Sequence, residues 1–202
     1  MGREIQSRAK FGGKWHEGKA LLETSEIIFR GDLRLKIPFA SLKSVVARHG
    51  ELHLKWAGGF AIFELGPQAE QWARSILHPK STMEKLGIKP GLKISAMHMP
   101  EDGTMKDARK AAAEFSDAKP LKDSAAIFFG AVSEGELTGI KKLLSSLASN
   151  GALWIVYPKG RKEIIELQVL NAGRAAGLFD VKVVSYSPTH TALKFVRPKD
   201  KT

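Results

Sequence analysis

Hydrophobic and polar positions alternate along the first third of the chain. Leu33, Leu35 and Ile37 are separated by Arg34 and Lys36, and Leu52, Leu54 and Trp56 by His53 and Lys55. A period of two places one side of a strand in a core and the other in water. Strands are predicted over residues 19–23, 26–30, 33–37, 42–47, 52–56 and 60–65. Thr24-Ser25, Gly31-Asp32, His49-Gly50 and Gly58-Gly59 punctuate them as turns, and Pro38 ends one strand or places it at an edge. Gly66-Pro67 breaks the series. The period then changes: Ala69, Trp72, Ala73 and Ile76 recur at three- and four-residue intervals, which predicts an amphipathic helix over residues 68–77.

Residues 78–82 read as a linker, and beyond it strands and helices alternate. Strands are expected at 92–97, 125–132, 152–157, 181–186 and 192–196, and helices at 105–115, 134–149 and 161–176. Leu137, Ile140, Leu144 and Leu147 form the apolar face of the second helix, with Asn150-Gly151 as its stop. Ile164, Ile165, Leu167 and Leu170 are the expected buried face of the third. The run Ala152-Leu-Trp-Ile-Val-Tyr157 has no polar side, so it suits a strand covered on both faces. Alternation that ends in a short hairpin predicts a mostly parallel sheet with an antiparallel closing hairpin. The domains are thus residues 1–79, all-β with a C-terminal capping helix, and residues 80–202, α/β.

The order of strands and one helix in the first domain resembles the PH-like or GRAM-like barrel, whose open end the helix would close with Trp72 and Ile76. The second domain resembles the C-terminal half of Rossmann-like methyltransferases, through Asn150-Gly151-Ala152-Leu153-Trp154 and Ala175-Ala176-Gly177-Leu178. It is also similar to an uncharacterised bacterial family with a Gly-Ala-Leu-Trp-x-x-Tyr-Pro-Lys motif. The matching residues here are Leu86-Gly87-Ile88-Lys89-Pro90-Gly91, Gly151 through Gly160, Ala176 through Val183, and Thr191-Ala192-Leu193-Lys194-Phe195. That likeness covers roughly residues 84–198 and implies a truncated, degenerate methyltransferase-like Rossmann domain.

Composition narrows the chemistry. The chain has no cysteine, which excludes disulfides, thiolate metal sites and cysteine nucleophiles. Its net charge of +11 is spread over both domains and favours anionic partners. The charged N-terminus has no apolar signal core, and no apolar run is long enough to cross a membrane, so a cytoplasmic location is expected. His49 and His53 lie across a turn with no carboxylate at helical spacing, and no metal site is expected. The loop after the 92–97 strand, Met97 through Gly103, lacks the Gly-x-Gly that lets backbone approach a dinucleotide-type cofactor. No cofactor is therefore expected.

Strand ends at the sheet mouth nominate His98, Ser133, Tyr157, Lys159, Gly160 and Arg161 as ligand-binding residues. Lys159 and Gly160 would form an anion pocket with a helix N-terminus beginning at 161. Lys14, Lys19, Arg30, Arg34 and Lys36 allow a phosphoinositide-like surface, though alternation alone already turns them outward. Trp15, Trp56 and Trp72 are read as core or rim, not as base-stacking platforms. The expected function is a non-catalytic binding or interaction protein, with an unknown protein partner or an anionic small ligand. The alternatives are an S-adenosylmethionine-dependent methyltransferase-like enzyme and a nucleic-acid-associated basic protein.

Overall fold

The computed structural model describes residues 3–100 and 102–198. Met1, Gly2 and Glu101, which belong to the N-terminal stretch and to the 97–103 loop considered above, lie outside the described residues. The chain divides into two compact units, Met1–Pro79 and Lys80–Thr202.

The first unit is a curled antiparallel sheet followed by a helix. Its strands are β1 (Arg3–Phe11), β2 (Lys14–Leu22), β3 (Glu26–Gly31), β4 (Arg34–Pro38), β5 (Leu42–Arg48), β6 (Glu51–Trp56) and β7 (Gly59–Glu64). They form one seven-stranded sheet in the order β4-β3-β2-β1-β7-β6-β5. The expected barrel is therefore an open curled sheet whose edges are β4 and β5. Strand β1 is missing from the sequence reading because its inward positions include Ser7 and Ala9 rather than large aliphatics. The helix α1 (Ala69–Leu77) buries Ala69, Trp72, Ala73 and Ile76 as its spacing predicts. Trp72 is completely buried among Phe29, Phe63, Leu52 and Leu54, and its indole N–H donates to Gln68 Oε1 at 3.2 Å.

The second unit starts with α2 (Thr82–Leu86), a short helix lying partly in the expected linker. Ser81 and Glu84 form a reciprocal cap there, with Ser81 N donating to Glu84 Oε2 at 2.8 Å and Glu84 N to Ser81 Oγ at 3.2 Å. Then follow β8 (Lys93–Met97), α3 (Gly103–Ala111), β9 (Glu114–Ser116), β10 (Ser124–Gly130), α4 (Ile140–Leu143), β11 (Leu147–Pro158), α5 (Glu166–Ala175), β12 (Phe179–Ser185) and β13 (His190–Val196). The sheet order is β12-β13-β11-β10-β8-β9. Strands β9, β8, β10 and β11 run parallel, and β13 is antiparallel to both its neighbours. This is a mixed α/β sheet of Rossmann-like type.

Each face of that sheet has its own core. Phe128 and Trp154 stack at 6.2 Å on the α2–α3 side, whereas Phe129, Ile155 and Phe195 pack with Val169 on the α5 side. Coverage of both faces explains the unbroken apolar run of β11.

Two helices differ from expectation. Residues 134–149 form a 3-10 turn (Glu134–Gly139), the single turn α4, and another 3-10 turn (Leu144–Ser146). Gly135, Gly139 and the serines weaken a continuous helix. Asn150-Gly151 is no helix stop: β11 already begins at Leu147, and these residues fall where its pairing with β10 jumps from Leu147 to Ala152. Helix α5 begins at Glu166, not 161. Ile164 is buried and Leu170 packs against the core as expected, but Ile165 and Leu167 point outward, and within α5 the buried positions are Val169 and Gly173. The Ile165 N–H is closed by Gln168 Oε1 at 2.8 Å, which sets the helix start there.

Candidate functional site in the second unit

From β8 the chain proceeds to β9 on one side, and β10 then lies on the other, so the sheet order reverses around the carboxyl end of β8. Open α/β sheets hold ligands in the crevice outside such a reversal. The backbone is tightly arranged there. His98 turns the chain with φ of 53°, a conformation unusual for a side chain bearing a Cβ. Gly130, the last residue of β10, passes so close that a Cβ on it would lie 2.0 Å from the His98 carbonyl oxygen. Asp102 then caps α3, accepting from Met105 N at 3.1 Å. A Cβ added at Gly103 would meet nothing within 4 Å, so the helix opens onto free space.

Beside α3 lies a cavity of 560 Å³, within the range of small-molecule sites. Its walls come from Ala96, His98, Met99 and Pro100 after β8, from Asp102, Met105, Lys106 and Arg109 on α3, and from Phe115 and Asp117 at the end of β9. Arg109 lies over the Phe115 ring at 4.4 Å and pairs with the Asp117 carboxylate. Its convergent charges, Asp102, Lys106, Arg109 and Asp117, distinguish it from the more apolar 420 Å³ groove between the 134–139 turn and α5, where Glu134 is already bound by Gln168.

Beneath α3, Tyr186 is 2% exposed, and its hydroxyl has no hydrogen-bond partner among the described residues. Burial first, and then the nearby Asp102 carboxylate, pushes the phenol far above its ordinary range. Tyr157 is also buried, and its hydroxyl donates to Glu166 Oε2 at 3.1 Å. Burial, followed by Glu166, raises it as well.

Of the six residues nominated from sequence, the cavity takes in His98 alone. Ser133 follows β10 and makes no cap bond to the 134–139 turn. Lys159 Nζ donates to Ser185 Oγ at 2.8 Å and to the Ser187 carbonyl at 2.7 Å, tying β11 to the β12–β13 hairpin. Gly160 and Arg161 lie in the exposed turn that precedes α5. Because α5 starts at Glu166, Lys159 and Gly160 do not meet a helix N-terminus, and the expected anion pocket does not form. Sequence reading passed over Asp102, Lys106, Arg109, Phe115 and Asp117. The Asp102-Gly103-Thr104-Met105 run carries an N-cap signal, but β9 is only three residues long and overlaps the end of the expected 105–115 helix.

Among the described residues no group of three His, Asp or Glu side chains is placed to hold a metal ion. Among the described residues no helix is long and apolar enough to cross a membrane.

No protein-family model matches the chain, and no curated protein matches it. Solved structures similar to it include a SAM-dependent methyltransferase from Aquifex aeolicus, at 14% identity and TM-score 0.47, over 61% of this chain and 92% of that one. The N-terminal PH domain of human ARAP2 is similar at 10% identity and TM-score 0.32, over 38% of this chain and 76% of that one. The C-terminal domain of an unknown protein from Leishmania infantum is similar at 14% identity and TM-score 0.31, over 37% and 77% of the respective chains.

Proposed function

We propose that the second unit binds a nucleoside-type ligand of the S-adenosylmethionine class in the cavity beside β8 and β9, as a degenerate member of the methyltransferase-like Rossmann folds. The observation that carries this is Asp117. It stands at the carboxyl end of the strand next to β8, twenty residues after Met97, on the wall of the cavity. A carboxylate in that position accepts hydrogen bonds from a ribose diol in dinucleotide-binding sheets. Phe115 and Met105 supply apolar surface for a base. The proposed function is binding, with no reaction assigned to His98 or Lys106. For the first unit, the curled sheet closed by α1 supports the PH-like reading. The run Gly151 through Lys159 supports kinship with the bacterial family that shares it.

Isothermal titration of the full chain with S-adenosylhomocysteine tests the reading. Binding is expected, weakened at least tenfold in Asp117→Asn and unchanged in Lys159→Ala, whose side chain belongs to the hairpin. Absence of binding to the wild-type chain, or equal binding by Asp117→Asn, refutes it.

A further inference from the structure

The outer face of the first unit's sheet carries a row of side chains that lie outside its core, exposed at its aromatic and apolar ends. Residues directly opposite one another share a face. Trp15 stands opposite Lys10, Lys10 opposite Ile62, Ile62 opposite His53, and His53 opposite Val46. Their chain neighbours Ala9, Phe63, Leu52 and Leu54 fill the core, so this row faces away from it. Beside it on the same face lies Phe60, opposite Lys55. Trp15, Val46 and Phe60 are 40%, 46% and 47% exposed.

The cations in this row differ in what they do. Arg8, 5.2 Å from the Trp15 ring centroid, is held by Glu64 through two bonds of 2.8 Å. Lys10 has its Nζ 5.8 Å from the same ring, and neither it nor Lys55 makes an ion pair among the described residues. His53, nearly buried and bonded to Glu51 at 2.8 Å, supports the Phe60 ring at 5.8 Å between centroids. One aromatic side chain and one uncompensated lysine thus stand side by side at two points. Trp15 and Phe60 are separated by two strand spacings, roughly 10 Å, and by about 7 Å along the strands.

We propose that this face binds single-stranded nucleic acid. Such a chain offers flat bases to the exposed rings and phosphates to the lysines between them. The central cores of protein interfaces are depleted of lysine, whereas here Lys10 and Lys55 lie within the row. A shallow sheet face also cannot stack on paired bases, which makes a duplex the poorer ligand.

Fluorescence anisotropy with the full chain and labelled oligothymidylate and oligouridylate, over a salt series, tests this. Trp15→Ala and Phe60→Ala should each weaken binding roughly 5- to 150-fold, while Trp15→Phe keeps most of it. Lys10→Gln and Lys55→Gln should each reduce the slope of log affinity against log salt by about 0.7. Thermal melts of the same variants confirm that the sheet is intact. The proposal is overturned if the wild-type chain does not bind at low salt, if the aromatic variants bind equally well, or if a duplex of the same length competes as strongly. Loss of binding to anionic vesicles in Trp15→Ala, with no oligonucleotide binding by wild type, overturns it in favour of a membrane surface.

Discussion

Replacing Gly130 by alanine probes the junction on which the candidate site depends. The new Cβ would sit 2.0 Å from the His98 carbonyl oxygen, 2.8 Å from its carbon and 3.3 Å from Met99 Cα. All three are backbone atoms, so no side-chain rotation relieves the overlap. Relief requires that β10 and the turn after β8 separate, although Phe129 is paired with Met97 just before the junction. Overpacking of this kind costs about 1–3 kcal/mol, and the immobile neighbours place it at the upper end. With unfolding entropy of about 2 cal/mol/K per residue, a unit of this size would melt roughly 10 °C lower. Differential scanning calorimetry of the full chain measures the shift. Gly139→Ala is the control: Gly139 has φ of −73° and nothing within 4 Å of an added Cβ. It should leave the melting point unchanged or raise it slightly. A Gly130→Ala protein that melts with the wild type would refute the close approach, and with it the described shape of the cavity rim.

Both tyrosines of the chain are buried, with phenols raised chiefly by burial. A raised value means that their stabilisation is complete below pH 10 and is lost above it, at about 1.4 kcal/mol per pH unit for each. Tyrosinate absorbance should therefore appear only as the second unit unfolds; a native titration near pH 10 would contradict the burial. Tyr186→Phe should be neutral or stabilising by up to about 1 kcal/mol, because it removes a hydroxyl without a partner. At Gly173 an added Cβ would lie 2.2 Å from Cε1 of the fully buried Phe195. Gly173→Ala should destabilise by about 1–3 kcal/mol despite alanine's better helix propensity. Phe195→Leu in the same chain should recover part of that loss, and additive losses in denaturant unfolding would show that the two sites do not touch.

The two-part architecture was legible because both kinds of period are present in the residues that fill the cores. Leu52 and Leu54 alternate, Trp72 and Ile76 recur at helical spacing, and residues 152–157 form one apolar run. Elements built from small or polar residues escaped. Strand β1 buries Ser7 and Ala9, and β9 is three residues long, so neither gives a periodic signal. The α5 region misled in part: Ile164 and Leu170 face the core, but Ile165 at the cap and Leu167 are outside, and the helix's closest packing is through Gly173. The strand-end rule pointed to His98, which lines the cavity where the sheet order reverses. It also led to Lys159, because sequence alone does not reveal that β13 starts at this edge and that the 185–190 hairpin occupies the end of β11.

Under the proposed function, ligand selection in the cavity would depend on which carboxylate is free to change partners. Asp102 is committed to the N-terminus of α3, where its replacement would uncap the helix. Among the described residues Asp117 is held only by Arg109, and their side chains are 61% and 54% exposed. Pairs so open to water are worth no more than about 1 kcal/mol. A diol that donates to Asp117 therefore displaces Arg109 at little cost, and the guanidinium keeps its contact with the Phe115 ring after the carboxylate has left. Once released, Arg109 stands beside Lys106 as a second cation on the same helix face, three residues on. The cavity thus offers one acceptor for a neutral diol and, only after that acceptor is engaged, a cationic pair for an acidic group elsewhere on the ligand. Under that reading, a ligand that combines a ribose with a carboxylate satisfies both, whereas a simple anion engages only the cations and leaves Asp117 to water.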